Sequence, residues 1–218
     1  MSTPLPWQVV VPVKHVGAAK SRLDPPAGVR RADLARAMAR DTLAVVCDAV
    51  GPASVVVVTS DRQARVTADR WGARVVPDPD AGLDAAVSAG LAVCRAHRPD
   101  GPVAVLLGDV PALRPEDLTQ ALQECARHPR AVVPDHTGTG TVLLTTTGPA
   151  LVPSFGAGSA ARHGRQATRL DLDLPRLRQD VDDHADLERV VGLGVGPATL
   201  AVLREPQPGP GAGSRARP

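Results

Sequence analysis

The chain has 218 residues, 43% of them apolar, which suits one domain of ordinary size with a packed core. Its 25 basic and 23 acidic residues leave a formal charge of only +2, which argues against a broad nucleic-acid footprint. Two Trp, one Phe and no Tyr give no stacking platform for single strands, and no apolar run is long enough to span a bilayer.

Strands and helices are predicted to alternate. Trp7–Val13 reads as a short buried strand, and Arg31–Val50 has apolar residues at helical spacing. Ser54–Thr59 is a second strand, with Ser60-Asp61 placed to cap a helix that runs through Trp71. Ala73–Val76 is a third strand, Pro77–Gly82 a turn-rich loop, Leu83–His97 a helix. Val103–Leu107 is a fourth strand, and Pro115–Arg127 a helix with Pro first and Glu116-Asp117 in its opening turn. Ala131–Val133 and Thr141–Thr145 read as two more strands. After Gly148 the pattern loosens: a Gly-rich loop at 155–159, an extended segment Leu174–Val181, and a helix Ala185–Val191. Short strands separated by helices imply an α/β fold with a mostly parallel, doubly wound sheet. The domain is expected over 1–203, and the Pro/Gly/Arg-rich segment 204–218 is expected to be a disordered tail.

Cys47, Cys94 and Cys125 are far apart, form no CxxC pair and sit in apolar patterns, so they read as core thiols rather than zinc ligands. The N-terminus lacks a basic start followed by an apolar run, which leads to the expectation of a cytoplasmic protein.

The chemistry-bearing residues fall after the strands, where open α/β sheets bind their ligands. Lys14, Lys20 and Arg22 follow the first strand and suit a polyanion, most simply a nucleoside triphosphate. Gly108-Asp109 follows the fourth strand, where a carboxylate can either bind Mg²⁺ beside phosphates or turn the chain. Asp180 and Asp182, two apart on an extended segment, share one face and invite a cation; Asp183 and Asp186 offer the competing reading of a helix N-cap. With Asp109 they make three carboxylates, a candidate Mg²⁺ cage. The loop Gly138-Thr139-Gly140-Thr141 lets the backbone approach a ligand and offers N–H groups and hydroxyls to an anion, but it is not a Walker loop. Gly156-Ala157-Gly158-Ser159 is similar, and His163 follows as a candidate phosphate donor; His97, His128, His136 and His184 read as surface residues.

In combination these segments resemble the CofC/FbiD family of guanylyltransferases, which serve coenzyme F-420 biosynthesis. The matching stretches are PVKHVGAAKSRL at 12–23, GLDAAV at 82–87, GDVPAL at 108–113, PDHTGTGTVLL at 134–144, FGAGSAARH at 155–163 and DVDDHADL at 180–187. The resemblance implies a Rossmann-like, GT-A-type nucleotidyltransferase fold in three layers. It implies a reaction of GTP with phosphoenolpyruvate or 2-phospho-L-lactate that releases pyrophosphate, with Mg²⁺ as cofactor. It places Thr141, Gly156 and Ser159 at the phospho-acid, and Asp109, Asp180 and Asp182 at the metal. Lys14, Lys20, Arg22, Gly82, Asp84 and Gly108 then serve the nucleotide, with Lys14, Lys20 and Asp109 carrying catalysis. It also implies that the product passes to a downstream transferase; a homodimer is the working expectation for assembly.

Two departures from the family pattern stand out. Asp84 and Val142 stand where many relatives have Asn. The first puts a nucleotide contact in question; the second sets an apolar residue beside the acid and resembles the phosphoenolpyruvate-type members, which favours that substrate. Two alternatives remain. Molybdenum-cofactor guanylyltransferases and sugar-phosphate transferases share the fold, but usually open with a Gly-rich loop that this chain lacks. A GTP-binding regulatory module would need no metal triad.

Overall fold

A computed structural model describes residues 6–14, 23–148 and 150–205. Runs of Val form strands buried on both faces, as parallel strands covered by helices must be. Strand β1 (Gln8–Pro12) pairs in parallel with β2 (Val55–Val58) on one side and β4 (Val103–Leu106) on the other, and β2 pairs in parallel with β3 (Arg74–Val76). Beyond β4 come β6 (Thr141–Thr146), β5 (Arg130–Pro134) and β7 (Thr168–Arg169), giving the order β3-β2-β1-β4-β6-β5-β7.

The sheet is mostly parallel, with one strand reversed: β6 runs antiparallel to both β4 and β5. The cause is the connection. Only residues 135–140 link β5 to β6, too few for a crossover helix, so the pair closes as a hairpin.

Alternate strand residues feed two cores. Val9, Val11, Val55 and Val57 pack with helices α1 (Arg31–Val50), α2 (Arg62–Trp71) and α4 (Pro115–Cys125). Val10, Val56, Val58 and Val105 pack with α3 (Leu83–His97) on the opposite face, which makes three layers. Cys94 and Cys125 are buried and Cys47 half-buried, and burial pushes all three thiols up to about 11.

The C-terminal third departs from expectation. The segment read as extended holds a short helix, α6 (Pro175–Arg178), with Leu177 in the core. Short helix α5 (Ser159–His163), β7 and α8 (Pro197–Arg204) were not anticipated, and α7 spans His184–Leu193. Helix α8 is held from a distance: the N–H groups of Ala198 and Thr199 donate to the Asp41 carboxylate of α1 at 3.0 and 2.7 Å. Gly196 leaves room for this, since a Cβ there would sit 2.3 Å from the Asp41 carboxyl carbon. Leu203 is half-buried against the α1/α7 cluster; most of the predicted tail, 206–218, lies outside the described residues. Among the described residues no helix is long and apolar enough to cross a membrane.

Helix α3 lies unusually close to the sheet. A Cβ at Gly90 would fall 2.4 Å from Val10 Cγ1 and 2.9 Å from Val58 Cγ2. Gly90→Ala should therefore destabilise the protein by about 1–3 kcal/mol through overpacking against stiff β-branched neighbours, outweighing the roughly 1 kcal/mol of helix propensity gained. Urea unfolding of both chains at one pH measures this.

Candidate active site

The ends of β1 and β4 come together because Gly108 has no side chain. A Cβ there would lie 2.9 Å from the Pro12 carbonyl oxygen. The backbone then turns through Asp109, and the Val110 N–H donates to the Thr42 hydroxyl of α1 at 3.1 Å. Asp109 and exposed Lys14 both line a cleft of about 1310 Å³ at this edge of the sheet. Lys20 and Arg22 lie outside the described residues.

The reversed strand delivers a second group to the same edge. Leu107 N–H donates to the Val142 carbonyl at 3.2 Å, so Thr141 at the start of β6 lies near Asp109 at the exit of β4. The preceding loop differs from expectation. The N–H of Gly138 donates to the Asp135 carbonyl at 3.1 Å, and those of Thr139 and Gly140 donate to its carboxylate at 3.1 and 3.0 Å. These amides are spent on Asp135 instead of being offered to an anion. Gly140 is required there, because a Cβ would fall 2.4 Å from Asp135 Oδ2. Val142 is also corrected: its side chain is fully buried in the core and is not on the cleft wall.

Phe155, Gly156, Ala157 and Ser159 also line the cleft. The Arg162 guanidinium donates to the carbonyls of Ser154, Phe155 and Ala157 and to the Ser154 hydroxyl. A trans peptide points its N–H opposite to its carbonyl, so the N–H of Gly156 is turned away from Arg162. Gly156 lines the cleft with a φ of +99°, which L side chains rarely adopt. Asp84 does not line the cleft; its Oδ1 accepts the Phe155 N–H at 2.7 Å and ties this loop to the first turn of α3. Gly82 is likewise off the cleft wall, serving as the N-cap of α3 at φ +93°, while Leu83 faces the cleft.

Thr141, Ser159 and His163 are buried together. Ser159 Oγ donates to Thr141 Oγ1 at 3.1 Å, and Thr141 Oγ1 lies 2.9 Å from His163 Nδ1. His163 Nε2 accepts the Ser154 N–H at 2.9 Å. Both ring nitrogens are thus engaged inside the protein, and His163 is not a phosphate donor. Burial holds its pKa below the usual histidine value; Asp84 opposes this and Arg162 adds to it.

The carboxylate segment forms the helix N-cap that its second reading expects. Asp183 caps α7 by accepting the Asp186 N–H at 2.9 Å, while Asp186 accepts the N–H groups of Asp182 and Asp183 at 3.0 and 3.2 Å. Asp180 and Asp182 line the cleft together with Asp183 and Asp186. Between Asp180 and Asp182, buried Val181 donates its N–H to the Asp109 carbonyl at 3.2 Å. Asp109, Asp180 and Asp182 therefore share one wall. Among the described residues no three His, Cys, Asp or Glu side chains close around a single point, so a complete protein cage is not formed. An all-oxygen donor set on an open wall fits Mg²⁺, which usually takes only one or two carboxylates plus phosphate oxygens and water.

The cleft thus gathers Lys14, Gly108, Asp109, Thr141, Gly156, Ser159, Asp180 and Asp182. Sequence reasoning missed the supports Asp135, Arg162, and Arg178, which donates to the carbonyls of Pro134 and Asp135; Asp186 is the N-cap partner that the sequence offered. Only Asp135 had a readable signal, an Asp opening a Thr/Gly turn.

The MobA-like NTP transferase domain family matches residues 32–180. A protein named phosphoenolpyruvate guanylyltransferase from Streptomyces coelicolor is 48% identical over 203 residues, covering 90% of this chain and 95% of its own. One of the same name from Thermomonospora curvata is 43% identical over 213 residues, covering 95% of this chain and 93% of its own. Among solved structures, a putative nucleotide-diphospho-sugar transferase from Desulfovibrio desulfuricans superimposes with a TM-score of 0.63 at 16% identity, covering 92% of this chain and 95% of its own. A cytidylyltransferase from Leptospira borgpetersenii gives 0.55 at 11% identity, covering 92% and 93%. At these identities the structures speak for the fold alone.

Asp186 tests whether the carboxylate turn is built as described. Burial works against its ionisation, but the bonds from Arg189 and from the backbone of Asp182 and Asp183 hold its pKa below the usual carboxylate value. A depressed folded pKa stabilises above the unfolded value and is lost as pH falls through the folded one. Asp186→Asn should cost about 1–3 kcal/mol at neutral pH, and the difference from the parent should shrink as the pH drops below about 4. Denaturant midpoints across that range provide the check.

Proposed function

Because the chain belongs to the phosphoenolpyruvate guanylyltransferase family of MobA-like NTP transferases, we propose that it transfers the guanylyl group of GTP to the phosphate of phosphoenolpyruvate. The products are enolpyruvyl-diphospho-guanosine and pyrophosphate, formed in the cytoplasm as a step of coenzyme F-420 assembly that feeds a downstream transferase. The observation that carries this reading is the shared cleft, lined by acidic residues and by a hydroxyl pair beside a Gly-rich loop.

The chemistry asks for alignment and charge neutralisation more than for a base. The phosphate monoester is already a nucleophile. One of its oxygens attacks the α-phosphorus of GTP in line, the α–β bridging bond breaks, and pyrophosphate leaves with the electron pair. Thr141, Ser159 and the Gly156 N–H hold the acid and fix its phosphate. Lys14 neutralises phosphate charge at the end of β1, and Lys20 and Arg22 are assigned the same task. Gly108 keeps the β4 exit thin enough for a triphosphate to lie against backbone. Asp109, with Asp180 or Asp182, would supply the one or two carboxylates that hold Mg²⁺, which when bound offsets charge on the triphosphate and on the leaving group.

The preference for phosphoenolpyruvate over 2-phospho-L-lactate rests on the names the relatives carry, since Val142 no longer supports it. The deciding experiment is pyrophosphate release with four nucleoside triphosphates crossed against phosphoenolpyruvate, 2-phospho-L-lactate and 3-phosphoglycerate, with and without Mg²⁺. Turnover is expected with GTP and phosphoenolpyruvate, and only with Mg²⁺. A higher kcat/KM for phospholactate would change the acid and leave guanylyl transfer standing. GTP binding without turnover on any acid would favour a regulatory module instead.

A further inference from the structure

The hydrogen-bond directions around Thr141 are fixed by a group that never meets the cleft. A backbone N–H can only donate, so the Ser154 N–H at 2.9 Å requires a lone pair on His163 Nε2. The imidazole therefore carries its proton on Nδ1. That N–H donates to Thr141 Oγ1 at 2.9 Å, and the Ser159 hydroxyl donates to the same oxygen at 3.1 Å. A hydroxyl has two lone pairs and one proton. With both lone pairs taken, Thr141 keeps only its proton to offer outward.

We propose that His163 is a positioning residue that locks the Thr141 hydroxyl as an obligate donor toward the cleft, so that this subsite takes a hydrogen-bond acceptor, such as an anionic oxygen of the acid, and not a donor. This rests on the reading above that Thr141 holds the phospho-acid. The relay is braced on every side. Phe155 stacks edge-on against the His163 ring, with centroids 4.9 Å apart. Arg162 fixes Ser154, whose N–H sets the tautomer, through its carbonyl and its hydroxyl. Asp84 fixes Phe155 through its N–H. The Asp84 carboxylate, set where relatives carry an amide, thereby supports the acid pocket and not the nucleotide. The sense of the relay also discriminates. A carboxylate or phosphate oxygen accepts from Thr141, whereas an amide NH₂ in that place would meet another donor.

The first test uses the unaltered protein. Nitrogen-15 chemical shifts of the His163 ring at neutral pH should show the proton on Nδ1 and none on Nε2; a proton on Nε2 overturns the proposal. The second uses variants. His163→Leu should raise the KM for phosphoenolpyruvate about tenfold or more, the loss expected for a misdirected hydrogen bond to a charged group, while the KM for GTP stays close to the parent's; the melting temperature falls because the Ser154 N–H loses its partner, so both KM values are read well below it. His163→Asn, which can place an amide N–H near the Nδ1 position, should recover much of the loss. In a Thr141→Val background, His163→Leu should add little, because the two act on one bond. Equal rises in both KM values, or a full additional effect in that background, would reduce His163 to a core residue. Thr141→Val alone separates the two claims. If it leaves the acid KM unchanged, the acid subsite itself is misplaced. If it raises that KM while His163→Leu does not, only the relay falls.

Discussion

The site depends on one reversed strand. In a wholly parallel sheet, strands end at one edge and begin at the other, about 15–20 Å away for strands of this length. Antiparallel pairing of β6 with β4 sets Val103 opposite Thr146 and Leu106 opposite Leu143. The start of β6 therefore lies beside the exit of β4, and Thr141 reaches the edge that already carries Lys14 and Asp109. Acid-binding and metal-binding groups in the proposed reaction share a cleft because six residues between β5 and β6 are too few to cross over.

A division among the carboxylates follows from what each one touches. Asp41, Asp61, Asp135 and Asp186 are buried and accept backbone N–H groups, from α8, α2, the 137–140 turn and the 182–183 turn respectively. Such groups replace the backbone partners that loops and helix ends otherwise lack. Asp135 and Asp186 thereby hold still the segments that carry Thr141, Asp180 and Asp182. Arg162 does the same for the Gly-rich loop by collecting carbonyls, the opposite sense, which leaves an amide for an anion.

Much of this was legible in residue order. The Val runs gave β1, β2 and β4; apolar spacing gave α1 and α3 to the residue; Asp61 was read as a cap and is one. The mostly parallel sheet is as expected, but which strand is reversed came only with the fold. What failed did so for physical reasons. Helix α8 was missed because its cap comes from Asp41, 157 positions earlier along the chain. The Gly138–Thr141 loop was read as an anion cradle, because sequence shows which N–H groups exist but not which carboxylate has already taken them. His163 was weighed as a ligand on the strength of its position; its burial and the backbone N–H at Nε2 came only with the fold.

The central claim is that the phospho-acid and the nucleotide meet across Asp109, with the acid on the Thr141–Ser159 side. The most direct measurement is a crystal structure with Mg²⁺, phosphoenolpyruvate and a GTP analogue carrying a methylene bridge between its α- and β-phosphates. The account predicts an anionic oxygen of the acid within hydrogen-bond reach of Thr141 Oγ1 and Ser159 Oγ, and the α-phosphate beside the metal at Asp109. An acid bound instead against the α1/α2 side of the cleft, with Thr141 facing only solvent, would contradict it.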